Sequence, residues 1–311
     1  MRTGLAVLAL IGAPLAAPDP AQAQDATPCD YELVVLGAGQ DAGAPQIGHA
    51  DDTGPRLLPS SLALIDRSEG KRYLFDASPA ITEQLAMLDG IEPPREGLGV
   101  DGVFLTHAHI GHYLGLAYFG REAAGASGVP VFAMPRMIEF LAANGPWSQL
   151  VELENISLDA LNDRTPRMLP GGLAVTPFAV PHRDEFSETV GLVIHHPDVG
   201  SALYLPDIDY WPEEGESNLL LSLLSRVDHV FIDATFWDDN ELPGRDMSEI
   251  PHPRVTDTMD LLADLPAEAR ARVHFIHYNH TNPIRDPASA ESAEVEARGF
   301  SVARRGDRFC L

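Results

Sequence analysis

The sequence predicts an α/β fold, in layer terms a four-layer α+β arrangement in which two mixed β-sheets pack between layers of helices. Short apolar segments typical of strands occur in both halves of the chain, and segments typical of helices lie between them. Most of the predicted strands run directly into a polar loop. The chain has 311 residues, of which 45% are hydrophobic, so it contains ample material for a large core.

The predicted strands are marked by their content of β-branched and aromatic residues. They are 31–36, 62–65, 72–75, 103–105, 129–132, 173–180, 189–194, 202–205, 230–232 and 273–276, followed by two short strands that close the chain. Helices are predicted for 79–88, from 113 onwards, and for 134–143, 256–263 and 288–298. Ser78 is the expected cap of the first helix, and Pro79 is expected at its first position, where a missing amide N–H costs nothing.

Three histidines follow the predicted strand at 103–105, namely His107, His109 and His112. Imidazole is a common ligand for zinc and other transition metals. His107 and His109 are two residues apart just past a strand end, so their rings can turn to the same side of the chain. A chance cluster on a loop is the alternative. Three of the twelve histidines within six residues, directly behind a buried strand, favour a metal site.

Further metal-binding residue types follow other predicted strand ends: His182, Asp207 and His277. Loops at strand ends can converge on a rigid scaffold, which is why sites form there. Taken singly, His182 could be an ordinary loop histidine, Asp207 a turn cap, and His277 a buried histidine with satisfied hydrogen bonds. Together with His107 and His109 they supply the imidazole and carboxylate groups that one or two metal ions require.

The segment 106–116 resembles the histidine motif HxHxDH of the metallo-β-lactamase superfamily. The resemblance implies a metallo-β-lactamase-like αββα sandwich and a metal site at which two sets of ligands share one aspartate. The first metal would be held by three histidines and reached by the aspartate: His107, His109, His182 and Asp207. The second metal would be served by two histidines together with the same aspartate: His112, His277 and Asp207.

Gly111 stands where the superfamily motif has an aspartate. The first set of ligands is therefore complete, whereas the second has lost a carboxylate and should bind a cation more weakly. We predict one tightly held ion, with Zn²⁺ as the leading choice. The second ion is predicted to be weak, absent, or completed by another residue such as His280. Fe²⁺ is the alternative metal, since two histidines and one carboxylate leave positions open for oxygen chemistry.

Other segments resemble the pyrroloquinoline quinone biosynthesis protein B-like branch of that superfamily. They are 36–46, 60–63, 75–79, 233–239 and 279–283, and the likeness covers roughly residues 31–285. The histidine motif differs from that of typical cofactor-making members, so the resemblance does not imply the same substrate. It does imply an iron-dependent oxidoreductase as an alternative to a hydrolase.

The leading prediction is a metal-dependent hydrolase that acts on a small molecule. A metal-bound hydroxide would attack an ester, lactone, amide or phosphoester, because a bound metal lowers the pKa of its water. Asp207 would orient the hydroxide, and His280 would help the metal to stabilise the developing oxyanion. Asp76 is expected to accept the second ring N–H of a metal-binding histidine, or else to act as an anion at a helix N-terminus. The alternatives to a hydrolase are the oxidoreductase and a non-catalytic metal-binding module. The substrate and the oligomeric state are not predicted.

The charge and the N-terminal segment indicate where the protein acts. A net charge of −25 repels phosphate backbones and counts against nucleic acid as a partner. Residues 1–3 carry a positive charge, 4–17 are mostly apolar, and 21–23 have the small-x-small form of a signal-peptidase site. We therefore predict a signal peptide over 1–23, a single domain over 24–311, and a periplasmic or secreted protein. A membrane anchor is disfavoured, since the apolar run is too short and is broken by Pro14 and Pro18, and no later segment is long and apolar enough to span a membrane.

The chain contains two cysteines, Cys29 and Cys310, near the two ends of the predicted mature protein. In an oxidising compartment they could form a disulfide that joins these ends. The alternative is two separate thiols. Neither cysteine has a metal-binding or nucleophile-like sequence context, so a cysteine enzyme is not predicted.

Overall fold

The computed structural model describes residues 28–214 and 217–311. The predicted signal peptide, residues 1–23, lies outside the described residues. Among the helices of the described part, none is both long enough and apolar enough to cross a lipid bilayer.

The first sheet combines an antiparallel half with a parallel half. Its strands are β1 (Tyr31–Gly37), β2 (Ser61–Asp66), β3 (Lys71–Phe75), β4 (Gly102–Phe104), β5 (Val129–Ala133), β6 (Ile156–Ala160) and β16 (Arg308–Cys310). The strand order is β16-β1-β2-β3-β4-β5-β6. Strands β16, β1, β2 and β3 pair antiparallel, whereas β3, β4, β5 and β6 pair parallel.

The second sheet repeats this arrangement. Its strands are β7 (Arg167–Met168), β8 (Ala174–Ala179), β9 (Val190–His196), β10 (Gly200–Leu205), β13 (His229–Asp233), β14 (Val273–Ile276) and β15 (Ser301–Val302). The order is β15-β14-β13-β10-β9-β8-β7, with β7 to β10 antiparallel and β10, β13, β14 and β15 parallel. A separate ribbon pairs β11 (Glu213–Glu214) with β12 (Ser217–Asn218). The prediction of two mixed sheets is confirmed.

Helices cover the outer faces of both sheets. They are α1 (Ile81–Ile91), α2 (Ile110–Tyr113), α3 (Pro135–Ala143), α4 (Trp147–Glu152), α5 (Leu219–Leu224), α6 (Val255–Leu261), α7 (Ala267–Arg270) and α8 (Ala290–Ala297). Short 3₁₀ turns occupy Leu114–Phe119, Pro170–Gly172, Met247–Glu249 and Pro283–Arg285. Apolar side chains of α1, α3 and α4 share a buried cluster with the first sheet, and those of α5, α6 and α8 share one with the second. The result is the predicted αββα sandwich.

Strand β1 shows how the sequence produces the layers. Successive side chains of a strand point to opposite faces of the sheet. Leu33 and Val35 belong to the core between the sheets, whereas Val34 and Leu36 belong to the core beneath the helices. Because both faces are covered, residues 33–36 of the strand form a continuous apolar run without polar alternation.

The predicted helix starts differ from the structure by one to three residues, and two of these differences have a local structural basis. Helix α1 begins at Ile81, two residues after Pro79, because the amide of Ala80 bonds to the Ser78 hydroxyl at 3.1 Å in a turn before the helix. The helix predicted from residue 113 begins at Ile110 and continues as a 3₁₀ turn. A close approach of Gly115 to the backbone at residues 77 and 78 accompanies this tighter winding.

Cys29 and Cys310 form a disulfide with their Cα atoms 5.6 Å apart. The bond joins the segment before β1 to the end of β16, its neighbour in the first sheet. Of the two possibilities that the sequence left open, the structure shows the disulfide and not two separate thiols.

Candidate metal centre

The predicted ligands lie at one edge of the molecule because, within each sheet, the strands that precede them run in the same direction. Strand β8 is separated from β10 by two antiparallel pairings and therefore also runs in the direction of β10. The carboxyl ends of parallel strands lie at the same edge of a sheet, and the loops that follow them can meet there. Loops after β4, β8, β10 and β14 carry the predicted donors, and β13 ends in a further aspartate. These donors are His107, His109, His182, Asp207, His277 and Asp233.

Four of the predicted residues form one compact group, in which all donor atoms lie within 4.8 Å of one another. His109 Nδ1 is 2.8 Å from His107 Nε2 and 3.1 Å from His182 Nε2. Asp207 Oδ2 is 3.3 Å from His107 Nε2 and 3.1 Å from His182 Nε2. The structure thus brings together the donors that the sequence predicted for the first metal.

A second group of donors adjoins the first. It contains His112 and His277 together with Asp41, again with all three donor atoms within 4.8 Å of one another. Asp207 Oδ2 is 4.0 Å from His112 Nε2 and 3.9 Å from His277 Nε2. This one carboxylate oxygen therefore lies between the two groups.

Asp76 and Thr106 set the orientation of two histidine rings. A carboxylate can only accept hydrogen bonds, so His112 Nδ1 donates to Asp76 Oδ2 at 2.7 Å. The Thr106 hydroxyl donates to Asp76 at 3.0 Å and in turn accepts from His107 Nδ1 at 3.0 Å. Both rings are thereby held with Nε2 unprotonated and directed at the donor groups. Of the two roles expected for Asp76, this geometry shows the first, in which the carboxylate accepts the second ring N–H of a histidine.

The second sheet repeats this support. His277 Nδ1 donates to the Thr235 hydroxyl at 3.1 Å, and that hydroxyl donates to Asp233 at 2.7 Å. His182 Nδ1 donates directly to Asp209 Oδ1 at 2.7 Å. Each of these rings also directs Nε2 toward the centre, which is the arrangement that metal-binding histidines require.

Burial and charge set the protonation of the donors. Burial holds the pKa of His107 well below its usual value and lowers the pKa of His277. Burial acts to raise the pKa of Asp207, but His277 and the other imidazoles outweigh it and hold that pKa well below the usual range. For His112, burial is outweighed by the Asp76 carboxylate, which raises the pKa. The lowered pKa values keep His107 and His277 neutral and Asp207 ionised, which are the forms in which these residues bind a metal.

Several buried polar atoms of the site have no hydrogen-bond partner among the described residues, and they indicate whether the site fits a cation. His112 Nε2, His277 Nε2 and Asp207 Oδ1 are buried and have no hydrogen-bond partner among the described residues. Buried polar atoms are almost always satisfied, because an unsatisfied one costs the free energy of its lost hydration. The donor nitrogens and the Asp207 oxygen of the first group lie 2.8 to 3.3 Å apart, so their lone pairs repel one another. A cation bound between the donor atoms would remove this repulsion and would also satisfy the atoms that lack a hydrogen-bond partner. The donor set fits a metal ion.

His280 does not join either group of donors in the described part of the chain. Its Nδ1 is bound to Asn279 Oδ1 at 2.8 Å, and its ring packs 4.9 Å from that of His49. The sequence pointed to His280 as a completing ligand of the second metal, and the structure places Asp41 there instead. The turn at 279–282 carries the His280 ring toward His49, away from His112 and His277.

Some site residues were missed or only partly anticipated by sequence reasoning. His252 Nδ1 is 2.8 Å from Asp233 Oδ2 and 3.4 Å from Asp207 Oδ1, at the edge of the donor groups. A cavity of about 460 Å³ opens beside it, with walls that include Asp209, Trp211 and Arg254. Asp233 follows an apolar strand, and the strand-end rule that selected Asp207 would have found it. No local pattern singles out Asp41, which lies in a glycine-rich loop.

Comparisons with known proteins show the family of this chain. A sequence profile described as the beta-lactamase superfamily domain matches residues 71–278. Coenzyme PQQ synthesis protein B of Ruegeria pomeroyi is 30% identical over 309 residues, which cover 90% of this chain and 100% of that protein. The chain belongs to the coenzyme PQQ synthesis protein B family. Another member of this family, from Pseudomonas aeruginosa, is 30% identical over 277 residues, which cover 79% of this chain and 86% of that protein.

Solved structures share the fold of this chain. Zinc-bound PqqB from Methylobacterium extorquens matches with a TM-score of 0.72 at 24% identity, covering 90% of this chain and 100% of that one. A diphosphatase of the PhnP family matches with a TM-score of 0.64 at 23% identity, covering 90% and 98%. At these identities the likeness concerns the fold, and it confirms the predicted metallo-β-lactamase-like architecture.

Proposed function

We propose that this protein is an exported, metal-dependent hydrolase of a small-molecule ester, lactone, amide or phosphoester. The observation that carries the proposal is the convergence of His107, His109, His182 and Asp207 on one point at the edge of the sandwich. Zinc is the proposed metal, because three imidazoles and one carboxylate are a common donor set for it. When bound, zinc supplies a Lewis acid and turns water into a nucleophile near neutral pH.

The residues around the donors support hydrolysis of a substrate that enters from one side. Asp207 Oδ1 has no hydrogen-bond partner among the described residues, so it is free to accept from an attacking water and orient it. His252 and Asp209 lie between the donor groups and the cavity of about 460 Å³. A substrate in that cavity would present its reacting bond beside Asp207. An oxyanion role for His280 is not part of the proposal, because its ring is held by Asn279 and His49.

An iron-dependent oxidoreductase is the second candidate function. The donors are all nitrogen and oxygen atoms, which suit Fe²⁺ as well as Zn²⁺. Relatives named for the synthesis of a redox coenzyme favour this alternative. The two functions differ in the metal bound, in oxygen consumption, and in the need for an electron donor.

The proposed location is the periplasm or the exterior, with residues 24–311 as the mature single domain. Support comes from the N-terminal pattern and from the Cys29–Cys310 disulfide, since disulfides persist in oxidising compartments. Cell fractionation checks the location. Recovery of the unprocessed chain from the cytoplasm alone would contradict it.

The function is tested on protein purified without added metal. We expect at least one equivalent of zinc by mass spectrometry, and hydrolysis of some member of an ester, lactone, amide and phosphoester panel. A chelator should abolish this hydrolysis and zinc should restore it. His182→Ala should remove both metal and activity, whereas His195→Ala, at an exposed position on β9, should change neither. Metal-free protein, or hydrolysis that survives chelation, would defeat the proposal. Bound iron with oxygen consumption would favour the second candidate.

A further inference from the structure

The backbone of a distant loop fills the space beside Gly111. A Cβ atom built on Gly111 would lie 2.7 Å from Asp41 Cα and 3.0 Å from Asp41 O. Contacts below 3.0 Å to backbone atoms require the backbone to shift, so no side chain fits at position 111 while the loop stays where it is. The backbone of Asp41 can therefore lie this close to position 111 only because residue 111 has no side chain.

The carboxylate of Asp41 lies beside two buried histidine nitrogens that have no hydrogen-bond partner among the described residues. One of its oxygens lies within 4.8 Å of donor nitrogens of both His112 and His277. These histidines are 1% and 0% exposed, and neither Nε2 atom has a hydrogen-bond partner in the described ranges. Two buried nitrogens without partners, together with an adjacent carboxylate, are the donor pattern of a cation site.

The Asp41 loop is fixed to the segment that carries His277. Gln40 N donates to Tyr278 O at 3.1 Å, and Tyr278 N donates to Ala38 O at 3.1 Å. Asp41 itself has a left-handed backbone, with φ of 40°. Asp and Asn tolerate this conformation better than most residues. Pairing with the residue after His277 therefore sets the position of Asp41 relative to that ligand.

We propose that Asp41, His112 and His277, with Asp207 shared between the groups, bind a second divalent cation, and that Asp41 replaces the carboxylate missing at position 111. The replacement comes from the loop between β1 and β2, far from the histidine motif in the sequence. Asp207 Oδ2, at 3.9 to 4.0 Å from the two Nε2 atoms, is positioned to bridge this cation and the first. The inference rests on the proposed metal-dependent function but requires no particular reaction.

The test is to titrate Zn²⁺ alone into the chelator-treated, full-length mature protein by calorimetry, with mass spectrometry of the metal retained after gel filtration. Wild type should bind two equivalents. Asp41→Asn keeps a residue that tolerates the left-handed backbone but removes the charge, and it should bind one equivalent or bind the second at least tenfold more weakly. Asp51→Asn, an exposed aspartate in the same connection between β1 and β2, is the matched control and should keep both ions.

Gly111→Ala gives an independent test, because it leaves every donor in place. The added Cβ must displace the Asp41 backbone, so the second equivalent should be lost or weakened at least tenfold. Gly90→Ala is the control, since a Cβ there meets nothing within 4 Å. Equal melting temperatures in chelator would show that the variants fold.

Two results would overturn the inference: one equivalent in the wild type, or two unchanged equivalents in Asp41→Asn. Failure of the proposed function is a separate outcome. Two bound ions without hydrolysis would leave the inference standing, whereas one ion with chelator-sensitive hydrolysis would overturn the inference alone.

Discussion

Two threonine–aspartate pairs orient metal-binding histidines, one in each sheet. Thr106 with Asp76 serves the first sheet, and Thr235 with Asp233 serves the second. In each pair the hydroxyl donates to the carboxylate and accepts from a histidine Nδ1–H. Asp76 has φ of 65°, a left-handed conformation that costs free energy for a residue with a side chain. Hydrogen bonds from Thr106, His112 and Tyr204 to the Asp76 carboxylate hold the residue in this strained conformation.

Asp76→Asn should weaken metal binding without removing a ligand. The carboxylate accepts from His112, Thr106 and Tyr204, the last at 3.1 Å, whereas an amide has only one accepting oxygen. We expect the affinity for zinc to fall about 10- to 100-fold, as for other residues that orient metal-binding histidines. Competition with a chromophoric chelator measures the change. Asp66→Asn is the control, since Asp66 is equally buried but bonds to Ser68 and the backbone of Glu69. Equal affinities for the two variants would contradict this role of Asp76.

Strand β14 carries a buried histidine that does not belong to the metal centre. The ring of His274 packs 4.9 Å from Phe231 and 4.5 Å from Phe309, and its Nδ1 has no partner among the described residues. Burial lowers the pKa of His274 to about 3. The folded protein therefore keeps this ring neutral at a pH at which the unfolded chain protonates it.

The depressed pKa of His274 predicts a loss of stability in acid. Below pH 6.5 the unfolded state binds the proton first, so the free energy of unfolding falls as the pH drops from 6.5 toward 3. His274→Phe should remove the contribution of this ring to the pH dependence. When the pH falls from 7 to 5, the free energy of unfolding of the variant should therefore decrease by about 2 kcal/mol less than that of the wild type. Urea unfolding in chelator at the two pH values measures it, with His195→Phe as the exposed control. A wild type and variant that lose stability in parallel would refute the assignment.

Elements differ in how far the sequence predicts them. The buried strands were predicted because their apolar runs are continuous. Strand β6 (Ile156–Ala160) was missed, since it lies at the edge of its sheet and contains Ser157 and Asp159. The five donors at strand ends were predicted because a strand end followed by histidine or aspartate is a local pattern. Asp41 was not predicted, because its place beside Gly111 depends on a contact between distant segments that no local pattern records.

At the scale of the whole molecule, the two ends of the described chain are joined beside the amino end of β1. The opposite, carboxyl end of β1 leads to Asp41 and the metal centre. Strand β16 pairs with β1, and Arg308 and Arg67 both bond to Glu32 at 2.7 Å. The Cys29–Cys310 disulfide closes a loop with a sequence separation of 281 residues. A crosslink over such a distance restricts the unfolded chain strongly.

Cys29→Ser/Cys310→Ser should therefore destabilise the fold but leave metal binding unchanged. We expect a loss of about 2 to 5 kcal/mol in the free energy of unfolding. Urea unfolding of the variant and of wild type, with and without a reductant, measures it, and the reductant should affect wild type alone. Equal stabilities, or loss of bound zinc in the variant, would contradict this separation of the disulfide from the site.

In the proposed metal centre, imidazoles from separate loops bind one cation together with Asp207. Anomalous diffraction from zinc-loaded crystals at the zinc absorption edge tests it most directly. We predict a peak about 2.1 Å from each of His107 Nε2, His109 Nδ1 and His182 Nε2. Zinc-loaded crystals with no peak among these three nitrogens, or with the ion bound elsewhere, would contradict the claim.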